Sequence, residues 1–147
     1  FTLSLPYEIE KGYAAVRIPA GETAIGIRYT EEPVKIMAHP WVGADHGRIA
    51  VKAGPVLYCC EKAVEKWEDL DPVLTEDPPI RQPDGTITVK TVDGGELRLI
   101  EYRRWNNAGA LPMRIWFRQE GWHADPRDLT GWDGRLYRVW TKETAEA

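Results

Sequence analysis

Apolar and polar residues alternate with a period of two through most of this chain, and Gly, Pro, Asn and Asp interrupt the alternation every few residues. Successive side chains of a strand point to opposite faces, so the pattern describes ribbons with one buried face. Thr86-Ile87-Thr88-Val89-Lys90-Thr91 and Glu96-Leu97-Arg98-Leu99-Ile100 flank Asp93-Gly94-Gly95, whose glycines can take the positive φ of a tight hairpin turn. Ala15-Val16-Arg17-Ile18 and residues 23–29 lie either side of Pro19-Ala20-Gly21-Glu22 and predict a second hairpin. Residues 34–38, 48–51, 55–59, 112–117 and 136–140 read as further short strands. Helical spacing is confined to residues 61–70, where Val64, Trp67 and Leu70 share a side; a two-turn helix and a loop both fit. Residues 71–84 carry Pro72, Pro78, Pro79 and Pro83 among acidic residues, which removes ladder donors and predicts a surface connector with no internal strand. With no long helix between strands, the expected fold class is all-β. The architecture expected is an antiparallel β-sandwich, jelly-roll-like, with at most one short helix, formed by residues 1–147 as a single domain.

A chain of 147 residues, 43% hydrophobic and 29% charged, can build a core without metal or disulfide staples. Nineteen Lys and Arg against 23 Asp and Glu give a net charge of −4 with no basic run, which argues against nucleic acid as a partner. Uncharged stretches are far shorter than the roughly 20 apolar residues that span a bilayer, so no membrane partner is expected. The chain begins at Phe1 without an initiator Met and already alternates over Phe1-Thr2-Leu3-Ser4-Leu5, as the interior of a longer protein would. Its two cysteines, Cys59 and Cys60, are adjacent and cannot form a secreted-type framework, which favours a reducing, cytoplasmic compartment.

Cys59, Cys60 and Glu61, with His39 and His46 upstream, are potential zinc ligands. Neighbouring strand residues diverge, however, and zinc knuckles space their cysteines by about two to four residues, so the metal site is set aside and both thiols are read as small buried hydrophobes. No cofactor is expected, since the chain has neither a Walker loop nor Gly-x-Gly-x-x-Gly. Glu61, Glu101 and Asp133 sit beside apolar or aromatic residues, but no spacing sets two of them at the separation of about 5–10 Å that glycoside hydrolysis requires. His123, in Gly121-Trp122-His123-Ala124-Asp125, reads as a surface histidine. Seven tryptophans are an unusual number, and flat indoles are what carbohydrate-binding surfaces stack against sugar rings. Trp122 and Trp132 fall in glycine-rich polar loops and are the carbohydrate-binding candidates; Trp116 and Trp140 lie in predicted strands and read as core.

Two segments taken together are specific. Asp45-His46-Gly47-Arg48-Ile49-Ala50-Val51-Lys52-Ala53-Gly54-Pro55-Val56-Leu57-Tyr58-Cys59-Cys60-Glu61 resembles a stretch of glycoside hydrolase family 127, the beta-L-arabinofuranosidase family. Tyr102-Arg103-Arg104-Trp105-Asn106-Asn107-Ala108-Gly109 and then Met113-Arg114-Ile115-Trp116 keep that family's later register. Upstream, Lys11-Gly12-Tyr13, Arg17 and Gly21-Glu22 are similar to the strand pair that precedes them there. The resemblance covers most of residues 11–117; Ile18-Pro19, Ala53 and Ala108 depart from it, and the chain from Gln119 onward does not align.

The resemblance implies a β-sandwich that follows a catalytic (α/α)-barrel, with the reacting groups in the barrel. The family's nucleophilic cysteine sits in a Cys-Cys-Pro-Pro-Asn type motif, whereas Glu61-Lys62 follows Cys59-Cys60 here, so no catalytic residue carries over. Gly54, Pro55, Tyr58, Glu61, Trp105, Asn107 and Trp116 are then structural positions, Trp105 and Trp116 as core aromatics and Asn107 as a polar bridge at a turn. The implied role is a non-catalytic accessory domain that supports the barrel, and homodimerisation, in a protein acting on arabinose-type glycosides. The alternative is a stand-alone carbohydrate-binding module that uses exposed tryptophans on plant-type polysaccharide.

Overall fold

The structure is a computed structural model that describes every residue except Gly12, Ala124 and Ala147. Gly12 of the Lys11-Gly12-Tyr13 block and Ala124 beside His123 therefore lie outside the described residues. The chain divides into two compact units, Phe1–Glu31 and Glu32–Ala147.

The first unit holds two small antiparallel sheets. β2 (Tyr7–Glu10) turns back as β3 (Tyr13–Val16), pairing Glu10 with Tyr13 and Tyr7 with Val16, and Lys11 in the turn takes φ of 50°. β1 (Thr2–Leu3) pairs with β4 (Ile27–Arg28). The hairpin predicted between residues 15–18 and 23–29 does not form. Residues 13–16 take the nearer partner, and residues 26–28 are held by the chain start: the Ser4 N–H donates to the Gly26 carbonyl at 2.9 Å, and the Gly26 N–H donates to Ser4 Oγ at 2.8 Å. No described residue of this unit is buried; Ile9, Tyr13, Ile18 and Ile27 are more than half exposed.

The second unit is built on β5 (Pro33–Ala38), β6 (Arg48–Ala53), β7 (Val56–Glu61), β8 (Val73–Leu74), β9 (Ile80–Arg81), β10 (Ile87–Lys90), β11 (Glu96–Glu101), β12 (Met113–Arg114), β13 (Phe117–Gln119) and β14 (Tyr137–Val139). These form one sheet in the order β14-β5-β6-β7-β11-β10-β9, with β12 on β7 and β13 bridging β6 and β8. Gly54 with φ of 55°, followed by Pro55, supplies the two-residue turn from β6 to β7, the II′ arrangement that matches strand twist. The predicted hairpin over residues 86–100 is present as β10 and β11, with Ile87 opposite Leu99 and Lys90 opposite Glu96. Gly94 in its turn takes φ of 87°, and Asp93 Oδ1 accepts from the Gly95 N–H at 3.1 Å.

Alternation assigns the faces. Met37, Ile49, Val51, Tyr58, Cys60, Ile87, Val89 and Leu99 point to one side and pack with Leu70, Leu74, Phe117 and three tryptophans as the core. Each fully buried Leu, Ile or Phe there is worth about 1.5–3 kcal/mol relative to exposure. The centre of the sheet is covered on its other face as well, since Ala38, Ala50 and Cys59 are also buried.

The all-β class holds, with one short helix, α1 (Lys142–Glu146). Thr141 and Thr144 cap its start reciprocally, the Thr144 N–H donating to Thr141 Oγ1 at 3.2 Å and the Thr141 N–H to Thr144 Oγ1 at 2.7 Å. Pairing is not antiparallel throughout, because β8 runs parallel to β13. Residues 71–84, expected to be strandless, contain β8 and β9, and Leu74 is fully buried. Their prolines fall outside both two-residue strands, so no ladder donor is lost. Residues 61–70 form a 3-10 turn over Trp67–Leu70 that buries Leu70 and leaves Trp67 exposed. The single strand predicted over residues 112–117 is divided, because β12 runs against β7 while β13 runs against β6, so the chain changes partner at Ile115-Trp116.

Candidate functional site

The motif residues gather at the open end of the β6–β7 hairpin. Glu61 closes β7, and its Oε1 accepts the Asn106 backbone N–H at 3.1 Å, fixing a residue that takes φ of 68°. Around that anchor, Tyr102–Arg104 form a 3-10 turn and the Trp105 N–H donates to the Tyr102 carbonyl at 3.0 Å. The Trp105 indole donates through Nε1 to the Leu111 carbonyl at 3.0 Å, and its ring lies nearly parallel to that of Tyr102 at 6.2 Å. Trp105 is thus a surface aromatic on a held loop, 37% exposed, and not the core residue its motif position suggested. Asn107 closes the turn with its backbone N–H on the Arg104 carbonyl at 3.3 Å, in place of the expected side-chain bridge. Tyr58 is buried and its hydroxyl donates to the Gly85 carbonyl at 3.2 Å, tying β7 to the turn before β10.

Beside this loop, three strands deliver arginines to one carboxylate. Arg48 of β6 holds Asp71 with two bonds, of 2.7 and 3.1 Å, while Arg114 of β12 and Arg118 of β13 approach it at 3.3 Å each. Arg118 also donates to the Asp71 carbonyl at 2.7 Å. Burial opposes ionisation of Asp71, but the Arg48 hydrogen bond and the three guanidinium charges outweigh it and hold the carboxyl below its usual range. This clamp pins the segment before β8 against β13. No sequence period links positions 48, 71, 114 and 118, so the cluster becomes visible only in the fold.

The tryptophans are redistributed. Trp122 and Trp132 do lie in loops, but they are 9% and 4% exposed and belong to the core, so neither presents a ring face to solvent. Trp132 carries the Arg138 guanidinium 5.3 Å above its ring and His39 edge-on at 4.9 Å. Trp140 is buried as expected, and Trp116 is half-buried, stacked on Tyr137 at 5.8 Å. The indoles most open to solvent are those of Trp41 and Trp67, 72% and 64% exposed.

Cys60 packs in the core while Cys59 is buried on the opposite face, and burial together with Glu61 and Cys60 pushes the Cys59 thiol up to about 11. Among the described residues no three His, Cys, Asp or Glu side chains gather as a metal cluster. Glu101 is held by Arg103 at 2.6 Å, which lowers its pKa, the reverse of what a general acid needs. His123 is exposed. Among the described residues no helix is long and apolar enough to cross a membrane.

The fold and this anchored loop define an all-β domain organised around one hairpin, whose motif residues hold structure and present aromatic side chains. The chain matches the glycoside hydrolase family 127 C-terminal domain over residues 33–118, more than half its length, and belongs to that family. Among solved structures it is similar to a family 127 beta-arabinofuranosidase, BT3674, at 24% identity and a TM-score of 0.51 over 81% of this chain and 23% of that one. That likeness is one of fold, and the chain spans about a quarter of that enzyme's length. No curated protein sequence matches the chain.

Proposed function

We propose that this chain is the non-catalytic accessory β-domain of a beta-arabinofuranosidase-like glycoside hydrolase, docked on a catalytic (α/α)-barrel of the same protein. The observation that carries the reading is the exposure of apolar side chains in the first unit: Tyr7 and Ile9 on one face of the β2–β3 ribbon, Tyr13 on the other, and Ile18, Ile27 and Tyr29 are all 39% exposed or more. So many uncovered apolar side chains on 31 residues, on both faces of one ribbon, mark a unit built to be covered. The family match and the small share of the similar enzyme that the chain spans support a larger catalytic domain as the cover.

The chain alone is expected to release no arabinose from aryl beta-arabinofuranosides. In the longer protein, Ile9→Asp combined with Tyr13→Asp is expected to loosen the domains and lower thermal stability while the barrel keeps its active site. Turnover by the isolated chain would overturn the reading, as would a double variant of the longer protein indistinguishable from wild type in stability.

A further inference from the structure

The face of the sheet opposite the core carries a groove of about 530 Å³ over β14, β5 and β6, lined by Ile36, Lys52, Arg135, Tyr137, Arg138 and Val139. Register explains the grouping, since Val139 lies beside Ile36, Ile36 beside Ala50, and Lys52 beside Val34. Every ionisable group on the wall apart from the Tyr137 phenol is a cation, in a chain whose net charge is −4. Arg138 is occupied by the Thr130 carbonyl and the Trp132 ring. Among the described residues, neither Lys52 nor Arg135 has a carboxylate within ion-pair distance. Tyr137 is 49% exposed, and its ring is already oriented by the Trp116 stack at 5.8 Å and 22°.

We propose that this groove binds an anionic saccharide, a sugar chain bearing carboxylate groups, with a sugar ring against Tyr137 and carboxylates of separate sugar units at Lys52 and at Arg135. The floor favours a sugar over an acidic peptide. β5 is paired on both sides, by β14 and by β6, so a ligand lying over it meets side chains, and an added strand would have to pair at the outer edge of β14 instead. A fixed aromatic ring for the apolar face of a sugar, with cations at the rim for its carboxylate, is what those side chains supply. Orientation of Tyr137 before binding removes part of the ordering cost. The inference concerns a surface of the second unit alone and does not rest on docking to a barrel.

Tetragalacturonate titrated into the intact chain, followed by calorimetry and by fluorescence of Trp116 beside Tyr137, tests it. Saturable binding that weakens as salt rises is expected, with neutral arabinotetraose giving none. Arg135→Gln, on an exposed loop, is expected to weaken binding about threefold and Lys52→Gln similarly. Tyr137→Ala is expected to abolish binding and Tyr137→Phe to retain it. No binding at millimolar tetragalacturonate, equal binding of arabinotetraose, or affinity unmoved by Arg135→Gln would each overturn the proposal. Tighter binding of a glutamate-rich peptide would overturn it in favour of a protein partner.

Discussion

Residues 1–31 and residues 32–147 are written in the same alternating style and end differently. Tyr7-Glu8-Ile9-Glu10 alternates as cleanly as Ile87-Thr88-Val89-Lys90, yet all four residues of the first stretch are exposed while Ile87 and Val89 are buried. The difference lies in what stands opposite. β10 has β9 and β11 as neighbours, and its Ile87 and Val89 share a core with Leu70, Leu74 and Phe117, whereas β2 pairs with β3 alone. An isolated two-stranded ribbon is marginal in water, so alternation reports a readiness to bury one face and leaves open what buries it. In the first unit that role falls, on the proposed reading, to a domain outside this chain.

Core truncation exposes the contrast most strongly. Phe117→Ala, at a fully buried position, is expected to cost about 3–5 kcal/mol, and Ile9→Ala, at a position 62% exposed, less than about 0.5 kcal/mol, read as urea midpoints of the isolated chain. Equal losses would break the comparison.

Next comes Asp71→Asn, which leaves three arginines around a neutral group and is expected to cost about 1.5–3 kcal/mol. The same pairing gives acid sensitivity. Because the folded state holds the Asp71 carboxyl below its usual value, its contribution is complete above the unfolded pKa of about 3.9 and is lost as pH falls through the lower folded value. The variant should lack that acid limb in denaturation from pH 5 to pH 2.

A smaller effect of the same sign comes at alkaline pH. Lys35 is 3% exposed, donates to the Thr75 carbonyl at 2.6 Å and lies 5.5 Å from the Trp140 ring centre. Burial lowers its pKa to about 8 despite the raising pull of Asp77, Glu76 and Glu120. Above that value the folded state sheds a proton that the unfolded chain keeps, so the contribution of Lys35 to stability rises by about 1 kcal/mol between pH 8 and pH 9. Cys59 and Cys60 oppose the gain within the same window, since burial raises both thiols, Cys59 to about 11, while the unfolded thiols ionise from about 8.5. Subtracting the profile of Lys35→Met isolates the lysine; a flat difference across this window would contradict the burial of a charged amine.

The smallest effect is expected from Glu61→Ala, about 0.5–1 kcal/mol, with faster amide exchange at Asn106 and its neighbours and no change in the first unit.

What could be read beforehand follows the same division. Strands β6, β7, β10 and β11 are legible because local turns set their register: Gly54-Pro55 for one hairpin and Asp93-Gly94-Gly95 for the other. The partners of β8 and β13 are not, since a parallel pair joins residues more than forty positions apart and leaves no local signature. Trp122 and Trp132 looked exposed because glycine and polar residues surround them, and only tertiary folding of that loop brings the rings into the core. Trp105 shows the converse: its motif marked it as important without revealing whether it faces inward or outward. The Tyr137 groove is illegible because Ile36, Lys52 and Tyr137 share a face through sheet register and Arg135 arrives from the loop before β14.

Amide hydrogen exchange on the isolated chain and on the longer protein, compared residue by residue, bears most directly on the accessory role. Amides of β2 and β3 are expected to exchange almost unprotected in the isolated chain and to gain protection in the longer protein, while those of β6, β7 and β11 are slow in both. Strong protection of β2 and β3 in the isolated chain, or none in the longer protein, would contradict a first unit made to be covered by a catalytic domain.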